Sequence, residues 1–270
     1  MSVAVTRPIE LVGDRLYVVG ATIPLDGRAS FAPPVGGAFL PVNCYVIVEG
    51  DEKLIVDTGI AAVRDELLEQ LATLIAPGTP VSVFLTRAEF DTVGNLGPIA
   101  ETYPVKALHT GGVTNPFDAF DMVRFAGVKP LTIPAQVDRK PLRDALEFAP
   151  GRVIDMVPPA IRMITTYWAF DRATKTLFTS DAFSHVHGDD EGGAVVVDSL
   201  EPIDTDVVAA AAYAKFWFLP ETHPGLIARE LASVFEEFEP EIVAPAYGGV
   251  LQGRQVVQQH YEAMLAVLPR

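Results

Sequence analysis

The chain has 270 residues, 49% of them hydrophobic, and 35 Asp and Glu against 20 Lys and Arg give it a formal net charge of −15. Such a composition belongs to a folded chain with a sizeable core and not to a disordered one. The acidity repels phosphate backbones and the basic residues are scattered, so nucleic acid is not an expected partner. No apolar run reaches the roughly 18 residues that cross a bilayer. The opening MSVAVTRPIELVG lacks the charged and sustained apolar regions of a signal peptide, so no membrane association and a cytoplasmic location are expected.

LYVVGATIPL and NCYVIVEG are rich in β-branched and aromatic residues and read as strands, separated by the Pro/Gly-rich DGRASFAPPVGGAF. Cys44, the single cysteine, lies in the second strand; intrachain disulfides and thiolate metal clusters are excluded, and a buried structural thiol is expected. KLIVDTG reads as a strand entering a loop. Val63, Leu67, Leu71 and Leu74 recur at helical spacing and predict an amphipathic helix ended by APGTP. VSVFLT is a further strand, VGNLGPIAETYP a short helix and turn, VKALHT a strand, and NPFDAFDMVRFAG a short helix. RVIDMVPPAIRMITTYWAFD and TKTLFTSDAF read as consecutive strands with a turn at Asp171–Lys175. VVAAAAYAKFWFL and PGLIARELASVFEEFEP are helical, EIVAPAYGG is a strand entering a Gly-rich loop, and RQVVQQHYEAMLAVL is a final helix. Helices interspersed with runs of two or three strands favour a layered sheet sandwich with outer helices over a purely parallel sheet.

Four apolar strands stop at a polar residue: Asp57 (LIVDTG), Thr86 (VFLTRAEFD), Asp181 (LFTSDAF) and Tyr247 (IVAPAYGG). Taken singly, each is explained as a turn. Taken in order, with their spacing, the chain resembles the metallo-β-lactamase superfamily, and within it the oxygen-binding diiron branch of flavodiiron proteins. The resemblance runs over nearly the whole chain, through DRLYVVGATIPLDGRASF, NCYVIVEGDEKLIVDTG, LTRAEFDTVGNLGPI, TKTLFTSDAFSHVHG and PEIVAPAYGGVLQGRQVVQQHYEAM. It implies an α+β fold, an αββα sandwich of two packed mixed β-sheets with helices on the outer faces, as a single domain over 1–270. No flavodoxin-like domain is expected. It also implies a site at one edge between the sheets, with Asp57 at the family's structural aspartate.

Carried over residue by residue, Glu89, Asp91 and Asp181 match the family's carboxylate ligands. Arg87 and Thr92 stand where the His-x-Glu-x-Asp-His loop has its histidines, no histidine occurs in PPAIRM, and Tyr247 replaces the last one. Imidazole suits iron and zinc, whereas carboxylates alone suit harder ions, and a guanidinium beside two carboxylates does the charge work of a metal. A site without metal is therefore expected, with Arg87 paired to Glu89 or Asp91. The alternatives are Mg²⁺ or Ca²⁺ on Glu89, Asp91 and Asp181 once Arg87 swings out, or a site on His185 and His187 with Asp181 or Asp189, so that iron, zinc or another divalent metal stands as the alternative to no cofactor. Either would make a hydrolase or an oxygen-reactive oxidoreductase.

Three functions stand beside one another. A retained pocket, lined by Arg87, Glu89, Asp91, Thr92, Asp181 and Tyr247 and approached by His109 and His185, binds a small molecule, with Arg87 taking an anionic group if the carboxylates leave it free. In its catalytic form Glu89 or Asp181 is the base and Tyr247 the proton donor. The second is the working metalloenzyme. The third is a scaffold or homodimer, for which AAAYAKFWFLP offers an interface if it is not core. His223 and His260 are assigned to structure.

Overall fold

A computed structural model describes residues 7–87, 89–110, 136–139, 142–163, 166–223 and 225–269, with the backbone alone at Phe90, Asp91 and 136–139. The helix expected in NPFDAFDMVRFAG lies outside the described residues. The first sheet has seven strands in sequence order: β1 (Ile9–Val12), β2 (Leu16–Pro24), β3 (Phe39–Glu49), β4 (Glu52–Val56), β5 (Val81–Leu85), β6 (Val105–Thr110) and β7 (Gln136–Arg139). Pairing is antiparallel from β1 to β4 and parallel from β4 to β7. The second sheet contains β8 (Ala145–Ala149), β9 (Arg152–Val157), β10 (Trp168–Asp171), β11 (Thr176–Ser180), β12 (Val196–Val197), β13 (Ile242–Pro245) and β14 (Val250–Gln252), in the order β12-β14-β13-β11-β10-β9-β8. Both sheets are mixed.

Strand periodicity decides what faces what. Ile47, Leu54 and Phe84 meet Met156, Ala169, Phe178 and Ala244 between the sheets. Their chain neighbours Val46, Ile55 and Val83 point the other way, onto α1 (Arg64–Leu74) and α3 (Leu96–Thr102) through Leu67, Leu71, Leu96 and Ile99. This period of two is that of a strand buried on both faces. Behind the second sheet, Trp168, Phe170, Leu177 and Val243 pack against α4 (Thr205–Lys215), α5 (Leu226–Phe238) and α6 (Arg254–Val267). The layers are helix, sheet, sheet, helix, as expected. Cys44 faces the α1 side, fully buried, and burial pushes its thiol well above the ordinary value, as a structural thiol requires. Among the described residues no helix is long and apolar enough to cross a membrane.

A buried arginine pins the sheets at the end remote from the predicted site. Arg152, at the start of β9, reaches Asp171 at 2.5 Å in its own sheet and Glu49 of β3 at 3.0 Å in the other. Thr174 Oγ1 and the Ala173 amide also donate to Asp171. Asp171, expected only as a turn residue, is the last residue of β10 and wholly buried.

Candidate functional site

The four strand ends lie along one rim of the sandwich. β4 ends one residue before Asp57, β5 one before Thr86, β11 one before Asp181 and β13 two before Tyr247. Polar ties join the sheets here. Asn43 Nδ2 donates to the carbonyls of Pro245 and Gly248, and Tyr45 Oη donates to that of Pro245 at 2.6 Å. The backbone is strained at the rim: Asp57, Ser180 and Phe183 hold φ of +57°, +54° and +66°. Left-handed conformations of non-glycine residues persist only where the surroundings over-determine them.

Gly248 completes the rim. Its φ is +88°, and a Cβ there would stand 2.8 Å from the backbone of Ser184. Gly248→Ala combines a strained φ with a clash against backbone that cannot swing aside. It is expected to destabilise by roughly 2–4 kcal/mol, read by urea denaturation; a loss within the ordinary surface range would show that the 247–248 loop moves freely.

A chain of short polar contacts runs from Asp57 to Asp181. The Asp57 carboxylate accepts from the Thr86 amide at 2.8 Å and from Thr86 Oγ1 at 2.7 Å. Thr86 Oγ1 also lies 2.9 Å from Ser180 Oγ, which accepts from Arg87 Nε at 2.9 Å. Arg87 Nη1 donates to Glu89 at 3.2 Å, and Nη2 stands 2.5 Å from Asp181 Oδ1, an ion contact more than an aligned hydrogen bond. Its side chain is fully buried while that of Glu89 is 33% exposed, so Glu89 alone of this chain meets solvent. The other oxygen of Asp181 lies 3.5 Å from Lys215 Nζ, at the last residue of α4, and that ammonium also sits 5.1 Å above the Phe31 ring. Burial pushes the Asp57 carboxyl up to about 7, against the opposing pull of the Thr86 hydrogen bonds and of Arg87.

The remaining expected residues are distributed unevenly. Thr92 Oγ1 is 2.9 Å from the Arg87 carbonyl and 3.1 Å from that of Glu89, closing the 87–92 loop on itself. Asp91 belongs to the short helix α2 (Phe90–Val93), and its side chain lies outside the described residues. Tyr247 is buried with its ring 4.5 Å from Phe31. His109 is buried on β6 in register with Phe84, two residues short of the level of Thr86. The two cavities that touch Asp181 and Tyr247 measure about 10 Å³ each, room for one water. Arg87 itself is engaged by the protein's own carboxylates, Glu89 and Asp181.

The pairing of His185 with His187 rested on strand alternation, but residues 181–185 form turns. His185 instead points to α6, where its Nε2 lies 2.7 Å from His260 Nδ1. Burial holds His185 down at about 3 and His260 at about 4, so both are neutral at ordinary pH. Among the described residues no three His, Cys, Asp or Glu side chains are grouped to hold a metal ion. Sequence reasoning missed Lys215 and the pairing of His260, assigned to structure, with His185. Lys215 carried a signal, as the lone charge inside the apolar AAAYAKFWFL.

Comparison with known proteins follows the geometry. The pattern of the Metallo-beta-lactamase superfamily matches residues 37–166. A protein of Thermosynechococcus vestitus named diflavin flavoprotein A 1 is 27% identical over 212 residues, covering 76% of this chain and 33% of its own length. Rubredoxin oxygen:oxidoreductase of Desulfovibrio gigas superposes with a TM-score of 0.70 at 16% identity, over 96% of this chain and 61% of that one. A mutant flavo di-iron protein of Thermotoga maritima superposes with a TM-score of 0.71 at 14% identity, over 97% and 61%. The chain thus spans about a third of the length of its curated relative and about three fifths of these two structures. It resembles the Metallo-beta-lactamase superfamily over residues 37–166 and shares its αββα fold with structures of flavo di-iron proteins and of rubredoxin oxygen:oxidoreductase.

Proposed function

We propose that this chain is a flavodiiron-like protein whose strand-end site works without a metal, its positive charge supplied by Arg87 and Lys215. The observation that carries the reading is the contact of each Asp181 oxygen with a side-chain cation, Arg87 at 2.5 Å and Lys215 at 3.5 Å. Together with Glu89 they form a cluster of two cations and two carboxylates. A diiron centre does not fit these residues. The imidazoles of His185 and His260 face each other, Thr92 serves backbone carbonyls, and the Tyr247 ring rests on Phe31. Two unit charges ~4 Å apart repel by roughly 4 kcal/mol at an effective dielectric of ~20. A divalent ion beside Arg87 meets about twice that, and the carboxylate it needs is already paired.

The engagement of Asp181 by two cations favours a role as a binding or scaffold protein, acting as a homodimer in the cytoplasm, over catalysis with Asp181 as base. Elemental analysis of tag-free protein purified without chelator tests the metal reading. The parent should hold only traces of iron or zinc, and the Arg87→His, Thr92→His, Tyr247→His variant should take up more. Near-stoichiometric metal in the parent would overturn the proposal and restore the metalloenzyme, with Glu89, Asp91 and Asp181 as its first candidate ligands.

A further inference from the structure

Among the described residues, a wide opening lies on the helical layer behind the second sheet, away from the strand ends. It is a groove of about 760 Å³ between the C-terminal half of α5 and the first turns of α6, with Leu200 at its edge. Its floor is apolar: Tyr261 stacks on Phe235 with ring centroids 4.3 Å apart, and Leu200 is 54% exposed. Its polar groups are mainly acceptors. Glu236, Glu239 and Glu262 are exposed along it. Gln259 uses its Nε2 on the Glu201 carbonyl, while its Oε1 is buried without a partner. The one cation of the lining, Arg254, lies 3.1 Å from Glu241, which it shares with Lys175, and it stands against three carboxylates of the lining.

We propose that this groove docks a lysine- or arginine-rich segment of a partner protein, one aliphatic side chain against Leu200 and Tyr261 and its cationic heads on Glu236, Glu239 and Glu262. Charge complementarity selects this occupant. The groove offers three exposed carboxylates to donors against the single cation Arg254, which is held by Glu241. Its carboxylates do not converge: among the described residues no three acidic, imidazole or thiol groups are placed to hold a metal ion. The fit is to positive charges spread along a chain and not to a point cation. A second copy of the protein brings a net charge of −15 to an acidic face, whereas a basic segment is steered towards it. Aromatic and aliphatic surface beside spaced carboxylates is what long cationic side chains cover, stem on the apolar wall and head on the charge. The proposal is independent of the metal-free reading of the strand ends.

The test uses a fluorescent hexapeptide alternating lysine and leucine, its glutamate-for-lysine counterpart, and spermidine, by fluorescence anisotropy on the intact chain. Salt is held at about 0.15 M, where the Debye length of about 8 Å screens the diffuse field of the protein. The basic peptide should bind saturably and the acidic one should not. Glu236→Gln with Glu239→Gln should weaken binding by roughly tenfold or more, as should Leu200→Ser alone. Asp65→Asn with Glu69→Gln, which removes the same charge from α1, should leave it unchanged. Equal losses in the two double variants would reduce the effect to net charge and overturn the proposal. So would an absence of saturation, displacement by spermidine at matched charge concentration, which assigns the groove to free polyamines, or sedimentation showing a dimer abolished by Leu200→Ser.

Discussion

Arg87→Met should destabilise the fold by about 3–5 kcal/mol, the loss seen when one partner of a buried ion pair is removed and the other charge stays behind. The side chain is fully buried and its three nitrogens engage Ser180, Glu89 and Asp181. Deleting the guanidinium leaves Asp181, 4% exposed, with Lys215 at 3.5 Å as the counter-charge of the cluster. It also removes the donor to Ser180 that closes the hydrogen-bond chain from Asp57. The mechanism is separable from lost packing, because methionine keeps much of the arginine stem. Arg87→Met with Asp181→Asn should lose clearly less than the sum of the single variants, since neither of these two partners is then left facing the other's vacated place, and the loss of the Lys215 contact is common to both Asn backgrounds and cancels in the cycle. Chemical denaturation of the four proteins gives the cycle. Additive losses would mean that the two residues do not sense each other and that the 2.5 Å contact carries no energy.

Asp57→Asn should abolish a stability change on the order of 4 kcal/mol between about pH 4 and pH 7. Burial raises the folded carboxyl to about 7 from an ordinary 3.8. Within that window the folded chain keeps a proton that the unfolded chain has released. Stability from this group is therefore full below the unfolded value, falls as pH rises through the window and levels off above about 7. Asparagine does not titrate, so the slope should vanish with it. The parent curve alone will not display the effect, because His185 and His260 act in the opposite sense. Their folded values are depressed to about 3 and about 4, so they add stability at neutral pH that is lost on acidification. The difference between parent and variant isolates Asp57. A difference independent of pH would mean that the carboxylate stays ionised, held by Thr86 and Arg87 more strongly than burial opposes.

Local pattern made the layers legible, and non-local pairing hid the site's partners. Apolar runs closed by Asp57, Thr86 and Asp181 marked the rim because a strand buried on both faces is a continuous apolar word and its first polar letter is its end. The pairing of Arg87 with Glu89 was legible too, from the two carboxylates that follow it in the loop, whereas its contact with Asp181, 94 residues on, was not. Lys215, His260 and the Glu49–Arg152 tie were not legible. Each meets its partner across 34, 75 or 103 residues of chain, a distance at which periodicity carries no information. His185 failed for a different reason. A period of two holds only for extended backbone, and Phe183 at φ +66° has already turned the chain. Among the described rim residues Tyr247 packs against Phe31 and Arg87 against Asp181, contacts between segments far apart in the chain.

The sandwich carries one dry guanidinium at each rim, Arg87 at one and Arg152 at the other, each binding one sheet to the next. Electrolyte reaches such contacts poorly, whereas it readily shields the mutual repulsion among surface carboxylates in a chain of net charge −15. The rivets hold while the outward pressure drops, so brine tightens this molecule where it would loosen one fastened by exposed pairs.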